Sequence, residues 1–204
     1  MDRIAVFISG RGSLLPPICR DIERGILTAR ICCVISDRPQ AVGVEKASSY
    51  GLPVVCLDRR KYRDPDGITL SDALLEEVSQ RNADLIVLAG FLSILEGRIL
   101  EEYAGRILNI HPSLLPRHGG RGMYGKKVHQ AVIDSNESYS GCTVHYVTAG
   151  VDTGPTILQR EIEVLPGETP ESLQARVHEI EGDTLVEALG IALRSPAAVM
   201  GVGQ

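Results

Sequence analysis

Residues 3–27 read RIAVFISGRGSLLPPICRDIERGIL, and this stretch decides the fold. Arg3–Ser9 is a short, mostly apolar run of the kind that forms a strand buried on both faces. Gly10-Arg11-Gly12 interrupts it, and the pattern then turns helical over Ser13–Leu27. The result is a β-turn-α unit. The same rhythm continues with a strand at Arg30–Ser36, a helix at Val42–Tyr50, a strand at Pro53–Leu57 and a helix at Ile68–Gln80. It reaches a further strand at Asp84–Gly90 (DLIVLAG), whose nearly continuous apolar character again predicts burial on both faces.

Beyond it come a short helical stretch at Leu95–Tyr103 and a strand at Arg106–Ile110, stopped by His111-Pro112. A helix at Lys126–Asp134 and two strands, Gly141–Thr148 and Thr156–Val164, follow. Only the seven residues Ala149–Pro155 join these last two, too few for a helical crossover, so the pair is expected to be antiparallel. A long amphipathic helix over Glu168–Leu193, started by Thr169-Pro170, ends the pattern. The expected fold is a single-domain, Rossmann-like, doubly wound α/β structure: a mostly parallel sheet with an antiparallel edge and a long C-terminal helix. Leu57–Ile68 is a polar loop rich in Arg and Lys, and no repeat or interdomain linker interrupts the chain.

With 204 residues of which 44% are hydrophobic, the chain can bury a substantial core, which excludes both a disordered chain and a small disulfide scaffold. Lys and Arg number 21 against 26 Asp and Glu, so no global positive field draws it to nucleic acid, and no nucleic-acid partner is expected. The five cysteines, at 19, 32, 33, 56 and 142, contain no C-x-x-C and suit free thiols in a reducing cytoplasm. The first apolar run is too short for a signal peptide or a membrane span, so a cytoplasmic protein without a membrane partner is expected.

Three segments carry candidate chemistry. At Ile8-Ser9-Gly10-Arg11-Gly12-Ser13 a strand ends in small residues and a helix begins, so backbone N–H groups converge on one spot. The spacing is neither G-x-G-x-x-G nor a Walker loop, and a single phosphomonoester fits it better than a dinucleotide. A tight turn with an ordinary Ser N-cap is the competing reading. In Leu108-Asn109-Ile110-His111-Pro112 the alternation of a strand sends Asn109 and His111 to one face, at the carboxyl end where ligands of parallel sheets bind. An Asn amide can stabilise an oxyanion, and a His can move a proton near neutral pH. Asp152 lies in the glycine-framed loop Gly150–Pro155, where it either bonds its own backbone or, if the loop folds over the strand end, orients His111 and raises its pKa. No G-x-S-x-G is present, alternation aims Ser113 away from His111, and Cys142 has no basic neighbour in sequence, so acyl chemistry at this site would need its attacking atom from a substrate. His111, His129 and His145 lack the spacing of a metal site, and no metal is expected.

Four segments together, ISGRGS at 8–13, VLAGFLSIL at 87–95, LNIHPSLLP at 108–116 and HYVTAGVDTGPTILQ at 145–159, resemble the phosphoribosylglycinamide formyltransferases, and the resemblance runs over essentially the whole chain. It implies a single formyltransferase domain over 1–204, with a phosphate-binding half at 1–105 and a catalytic and folate-binding half at 106–204. The implied activity moves the formyl group of 10-formyltetrahydrofolate, a co-substrate, to the amine of glycinamide ribonucleotide by direct attack. The implied catalytic residues are Asn109, His111 and Asp152, with Asp152 holding the imidazole charged. The implied phosphate site is the backbone of Gly12, Ser13 and Leu14, where relatives often read G-N-G-S-N, so Arg11 and Leu14 are departures. Glu181 matches an acidic residue that binds the ribonucleotide, and His178 stands where some members carry Gln. The implied pterin slot is Leu88, Leu92, Ile94 and Leu95, edged by Asn109 and by backbone near 148–152. Arg117–Lys127 (RHGGRGMYGKK) reads as a mobile flap.

The resemblance to formyltetrahydrofolate deformylase and to methionyl-tRNA formyltransferase is weaker. The sequence opens on its first strand, where the deformylase carries an added domain, and it ends without the basic extension of the tRNA enzyme. The expected partners are therefore the two small-molecule substrates, with the protein acting as a monomer or a homodimer.

Overall fold

A computed structural model describes residues 1–62 and 67–194. Its seven strands are β1 (Asp2–Ile8), β2 (Ala29–Ser36), β3 (Val54–Cys56), β4 (Leu85–Leu88), β5 (Ile107–His111), β6 (Tyr139–Tyr146) and β7 (Thr156–Glu163). They form one sheet in the order β3-β2-β1-β4-β5-β6-β7. The pairs from β3 through β5 are parallel, whereas β6 runs against both β5 and β7. The expected antiparallel pair is present, and the single reversed strand is β6, one place in from the edge.

Six helices surround the sheet: α1 (Leu15–Glu23), α2 (Val42–Ser49), α3 (Leu70–Gln80), α4 (Arg98–Glu102), α5 (Lys126–Asp134) and α6 (Pro170–Arg194). Strand alternation divides the core into two layers. Ile4, Val6 and Ile8 of β1 join Leu108, Ile110 and Val144 against Leu15 and Ile18 of α1 and Leu173, Val177, Leu185 and Leu189 of α6. Ala5 and Phe7 face the other way and join Ile86, Leu88 and Ile107 against Leu74, Leu75 and Val78 of α3 and Ile99 of α4. Each fully buried Leu or Ile contributes about 1.5–3 kcal/mol of transfer free energy, which is why central strands without polar positions are stable only between two helical layers.

Where element ends differ from the sequence expectation, local chemistry accounts for it. Helix α1 starts at Leu15, two residues later than expected, because Gly12 at φ 59° turns the chain and its carbonyl accepts the Leu15 N–H. It stops at Glu23 because Gly25 takes φ 71°, the left-handed conformation that ends helices. Strand β4 stops at Leu88, and Gly90 at φ 75° bends the chain out of the sheet. The polar loop after β3 contains a 3-10 turn at Arg59–Lys61, capped by Asp58, that the sequence pattern does not signal. Arg63 of that loop lies outside the described residues.

Candidate active site

A cleft of about 830 Å³ opens at the carboxyl ends of β1, β4 and β5, where ligands of open α/β sheets bind. Its wall includes Gly12, Ser13, Leu14, Leu88, Leu92, Ile94, Leu95, Asn109, His111, Asp152 and Glu181, so the catalytic, phosphate-loop, ribonucleotide and pterin candidates all line one cavity.

At one end lies the loop after β1. Helix α1 has no side-chain cap, so the Ser N-cap alternative does not hold. Leu14 is 5% exposed with its side chain in the core, which leaves only its backbone to meet a ligand. Pro16 and Pro17 carry no N–H, so the donors for an anion are those of the loop itself. Gly43 of α2 holds this loop from behind, and its N–H donates to Gly10 O at 2.9 Å. A Cβ on Gly43 would come within 2.8 Å of that carbonyl and 2.9 Å of Gly12 N, so a glycine is required there. Glu181 faces the cleft from α6 and pairs with His178 at 2.7 Å. That contact raises the His178 pKa, against a smaller opposing effect of burial.

At the other end Leu88 and Leu95 are buried, whereas Leu92 and Ile94 are 39% and 46% exposed on the rim. Exposed branched side chains beside a cleft fit a flat apolar ligand better than water. Leu88 serves both as core and as wall. In the 3-10 turn Arg60 pairs with Asp58 at 2.6 Å and Arg59 lies 3.8 Å from Asp37, and neither lines the cleft.

Between the two ends, β5 projects Ile107, Asn109 and His111 from one face. Ile107 is covered by core, and beyond it Asn109 and His111 line the cleft. The register places Asn109 opposite His145 and His111 opposite Thr143 on β6. Asp152, at φ 57° in the loop after β6, folds back over this strand end as the second sequence alternative requires. Its Oδ2 lies 3.5 Å from His111 Nδ1 and accepts the Gly120 N–H at 2.9 Å, and its Oδ1 lies 3.6 Å from His145 Nε2. Asn109 Nδ2 lies 3.1 Å from His145 Nε2. Asn109, His111 and Asp152 thus meet, with His145 as the fourth member. Sequence reasoning treats His145 only as a metal-ligand candidate and misses this place. Its alternation with Cys142 and Val144 was the available signal, but its partner is set by pairing with β5.

One expectation is corrected. The His111 pKa lies below its ordinary value of 6.5, because burial outweighs the raising effects of Asp152 and of the His118 carbonyl. His111 is 4% exposed and rests neutral rather than charged. Its Nε2 is 2.9 Å from His118 O, an acceptor only, so that nitrogen carries the proton and Nδ1 presents a lone pair toward Asp152. The Asp152 carboxyl stands below its ordinary range: burial works against ionisation, but the His145 and His111 rings and the Gly120 N–H outweigh it.

Neither Ser113 nor Cys142 lines the cleft. Ser113 donates to Arg117 O at 2.7 Å, and burial pushes the Cys142 thiol up to about 11. Nor do three His, Cys, Asp or Glu side chains group as a metal site among the described residues. The Gly120–Gly125 segment borders the same space, and the His118 carbonyl just before it and its own Gly120 N–H reach the reacting groups.

A doubly wound sheet with acid–base side chains converging at its ligand cleft is the arrangement of an α/β enzyme. The chain belongs to the formyl transferase family, which matches residues 2–189. It is 36% identical over 188 residues, 92% of its length, to the chloroplastic phosphoribosylglycinamide formyltransferase of Arabidopsis thaliana, and spans 64% of that protein. It is also 36% identical over 181 residues, 89% of its length, to the phosphoribosylglycinamide formyltransferase of Haemophilus influenzae, of which it spans 82%. Among solved structures, glycinamide ribonucleotide transformylase 1 from Symbiobacterium toebii superposes with a TM-score of 0.87 at 37% identity, covering 95% of this chain and 89% of that one.

Proposed function

We propose that the chain transfers the formyl group of 10-formyltetrahydrofolate to the amine of glycinamide ribonucleotide, a step of purine biosynthesis, by direct attack and without a formyl-enzyme intermediate. The observation that carries this reading is a single cleft with the glycine loop after β1 at one end, an exposed apolar rim at the other, and an amide, an imidazole and a carboxylate between them. The ribonucleotide phosphate sits on the backbone of Gly12, Ser13 and Leu14, its ribose or glycinamide part meets Glu181, and the pterin lies against Leu88, Leu92, Ile94 and Leu95 with Asn109 at its edge. A cleft of about 830 Å³ is large enough for both ligands to meet.

The folate supplies the formyl carbon, and every other requirement falls on the chain. Addition of the amine puts negative charge on the formyl oxygen and positive charge on the amine nitrogen. Asn109 donates an N–H to the oxygen, while His111 Nε2–H stays on the His118 carbonyl and leaves Nδ1 to face the amine. His111 Nδ1 takes up the amine proton, because the imidazolium so formed lies beside Asp152, and the proton then passes to the leaving nitrogen. The resting neutrality of His111 suits this cycle, since a charged imidazole could not accept the proton.

The whole chain acts as one formyltransferase domain, with 1–105 bringing the phosphate loop and 106–204 the reacting groups. A cytoplasmic location agrees with its five free cysteines, and no helix among the described residues is long and apolar enough to cross a membrane. It acts as a monomer or homodimer. Incubation with 10-formyltetrahydrofolate, with and without glycinamide ribonucleotide, tests the reading by following tetrahydrofolate formation. Turnover that depends on the amine is expected. Formate release at the same rate without ribonucleotide would replace transfer by hydrolysis.

A further inference from the structure

We propose that His145 is the positioning residue of Asn109: its unprotonated Nε2 accepts one amide N–H of Asn109 and so aims the other at the formyl oxygen. This rests on the reading of Asn109 as an oxyanion donor. A primary amide has almost the same shape in its two orientations, and the wrong one would turn a carbonyl oxygen toward the developing negative charge. Something must therefore choose the orientation before substrate arrives.

Asn109 and His145 are directly paired residues of β5 and β6, so their side chains share a face of the sheet. His145 is 2% exposed, which leaves the choice to protein neighbours rather than to water. Its Nδ1 lies 2.9 Å from Tyr146 O. A carbonyl only accepts, so Nδ1 bears the hydrogen, and the tautomer this selects presents a bare Nε2. Two groups face that lone pair. Asp152 Oδ1, at 3.6 Å, is an acceptor and too distant for a hydrogen bond. Asn109 Nδ2, at 3.1 Å, is a donor at the right distance. Turning the amide over would set its oxygen against the lone pair in a buried place, an arrangement that forfeits a hydrogen bond and leaves two acceptors unmatched.

The chain of bonds therefore runs from Asn109 N–H to His145 Nε2, and from His145 Nδ1–H to Tyr146 O. One Asn109 N–H remains for the substrate. Asp152 Oδ2 meanwhile accepts the Gly120 N–H and lies 3.5 Å from His111 Nδ1.

Four variants and one spectrum test the assignment: His145→Phe, His145→Gln, Asn109→Ala, the double variant Asn109→Ala/His145→Phe, and the 15N shifts of the histidine rings. His145→Phe keeps the ring but removes the acceptor, and its kcat is expected to fall about 30-fold or more with both KM values within about 3-fold. In His145→Gln a side-chain oxygen can replace Nε2, and about 10-fold of the loss should return. The double variant should turn over within about 3-fold of Asn109→Ala, because a residue that acts through Asn109 has nothing left to aim. Should His145→Phe cost as much in the Asn109→Ala background as alone, or retain wild-type kcat, the assignment fails. Full activity of Asn109→Ala would instead remove the oxyanion role beneath it. The spectrum of the unaltered protein is independent of variant folding: a protonated Nδ1 and a bare Nε2 on His145 at neutral pH are expected, and a proton on Nε2 overturns the assignment.

Discussion

Asp152 occupies the left-handed region at φ 57°, where most residues other than glycine are strained but Asn and Asp are tolerated. Asn is therefore the substitution that keeps the loop and removes the charge. In Asp152→Asn the Gly120 N–H still finds an oxygen, while the carboxylate that would stabilise an imidazolium at His111 is gone. With a His111 pKa already lowered by burial, proton uptake at Nδ1 becomes harder still. The expected result is a kcat about 100- to 1000-fold lower, KM for both substrates within about 10-fold, and an unchanged thermal transition. Steady-state rates with a melting curve check this, and near-normal kcat would take Asp152 out of the proton path.

The loop after β1 depends on an element that its own sequence does not contain, the first turn of α2. Gly43 lets that turn touch Gly10 and Gly12, so Gly43→Ala should push the loop N–H groups out of line. We expect KM for the ribonucleotide to rise about 10-fold or more with KM for the folate nearly unchanged, because one group of phosphate donors is lost and the apolar end is untouched. Equal rises in both would mean that the damage is general. The β-turn-α repeat, the antiparallel pair and the shared face of Asn109 and His111 were legible because each follows from local periodicity or from the length of one connection. Gly43 was not, since its contact crosses from α2 to the loop after β1, about thirty residues away along the chain. His145 was visible as a residue but not as a partner of Asn109, because cross-strand pairing is set by sheet register. The charge state of His111 was misjudged because the neighbouring Asp can be anticipated from a loop, whereas the depth of burial that outweighs it cannot.

At the scale of the molecule, a cleft that gathers side chains from both halves of the chain carries a stability cost with a definite sign. His111 and His129 are 4% and 2% exposed, and burial, the leading cause at both, holds each pKa below 6.5. His129 lines the same cleft from α5 and has a buried Nδ1 with no hydrogen-bond partner, and the attraction of Glu181 offsets its desolvation only in part. In the unfolded chain both rings titrate near 6.5 and take up protons that the folded protein refuses. Their neutral burial thus leaves stability intact above that pH and removes it as pH falls from 6.5 toward the lowered folded values. His178 works the other way, since Glu181 raises its pKa, and its contribution is lost as pH rises through that raised value. The melting temperature should therefore drop on acidification from about pH 7.5 to about pH 5, well before carboxylates such as Asp152 are protonated. His129→Phe removes one of the two groups while keeping an aromatic ring, so the drop over that interval should be visibly shallower than in the unaltered protein. Identical slopes in the two proteins would show that His129 titrates in the folded state as it does in the unfolded chain, and that the ring is more open to water than its burial indicates.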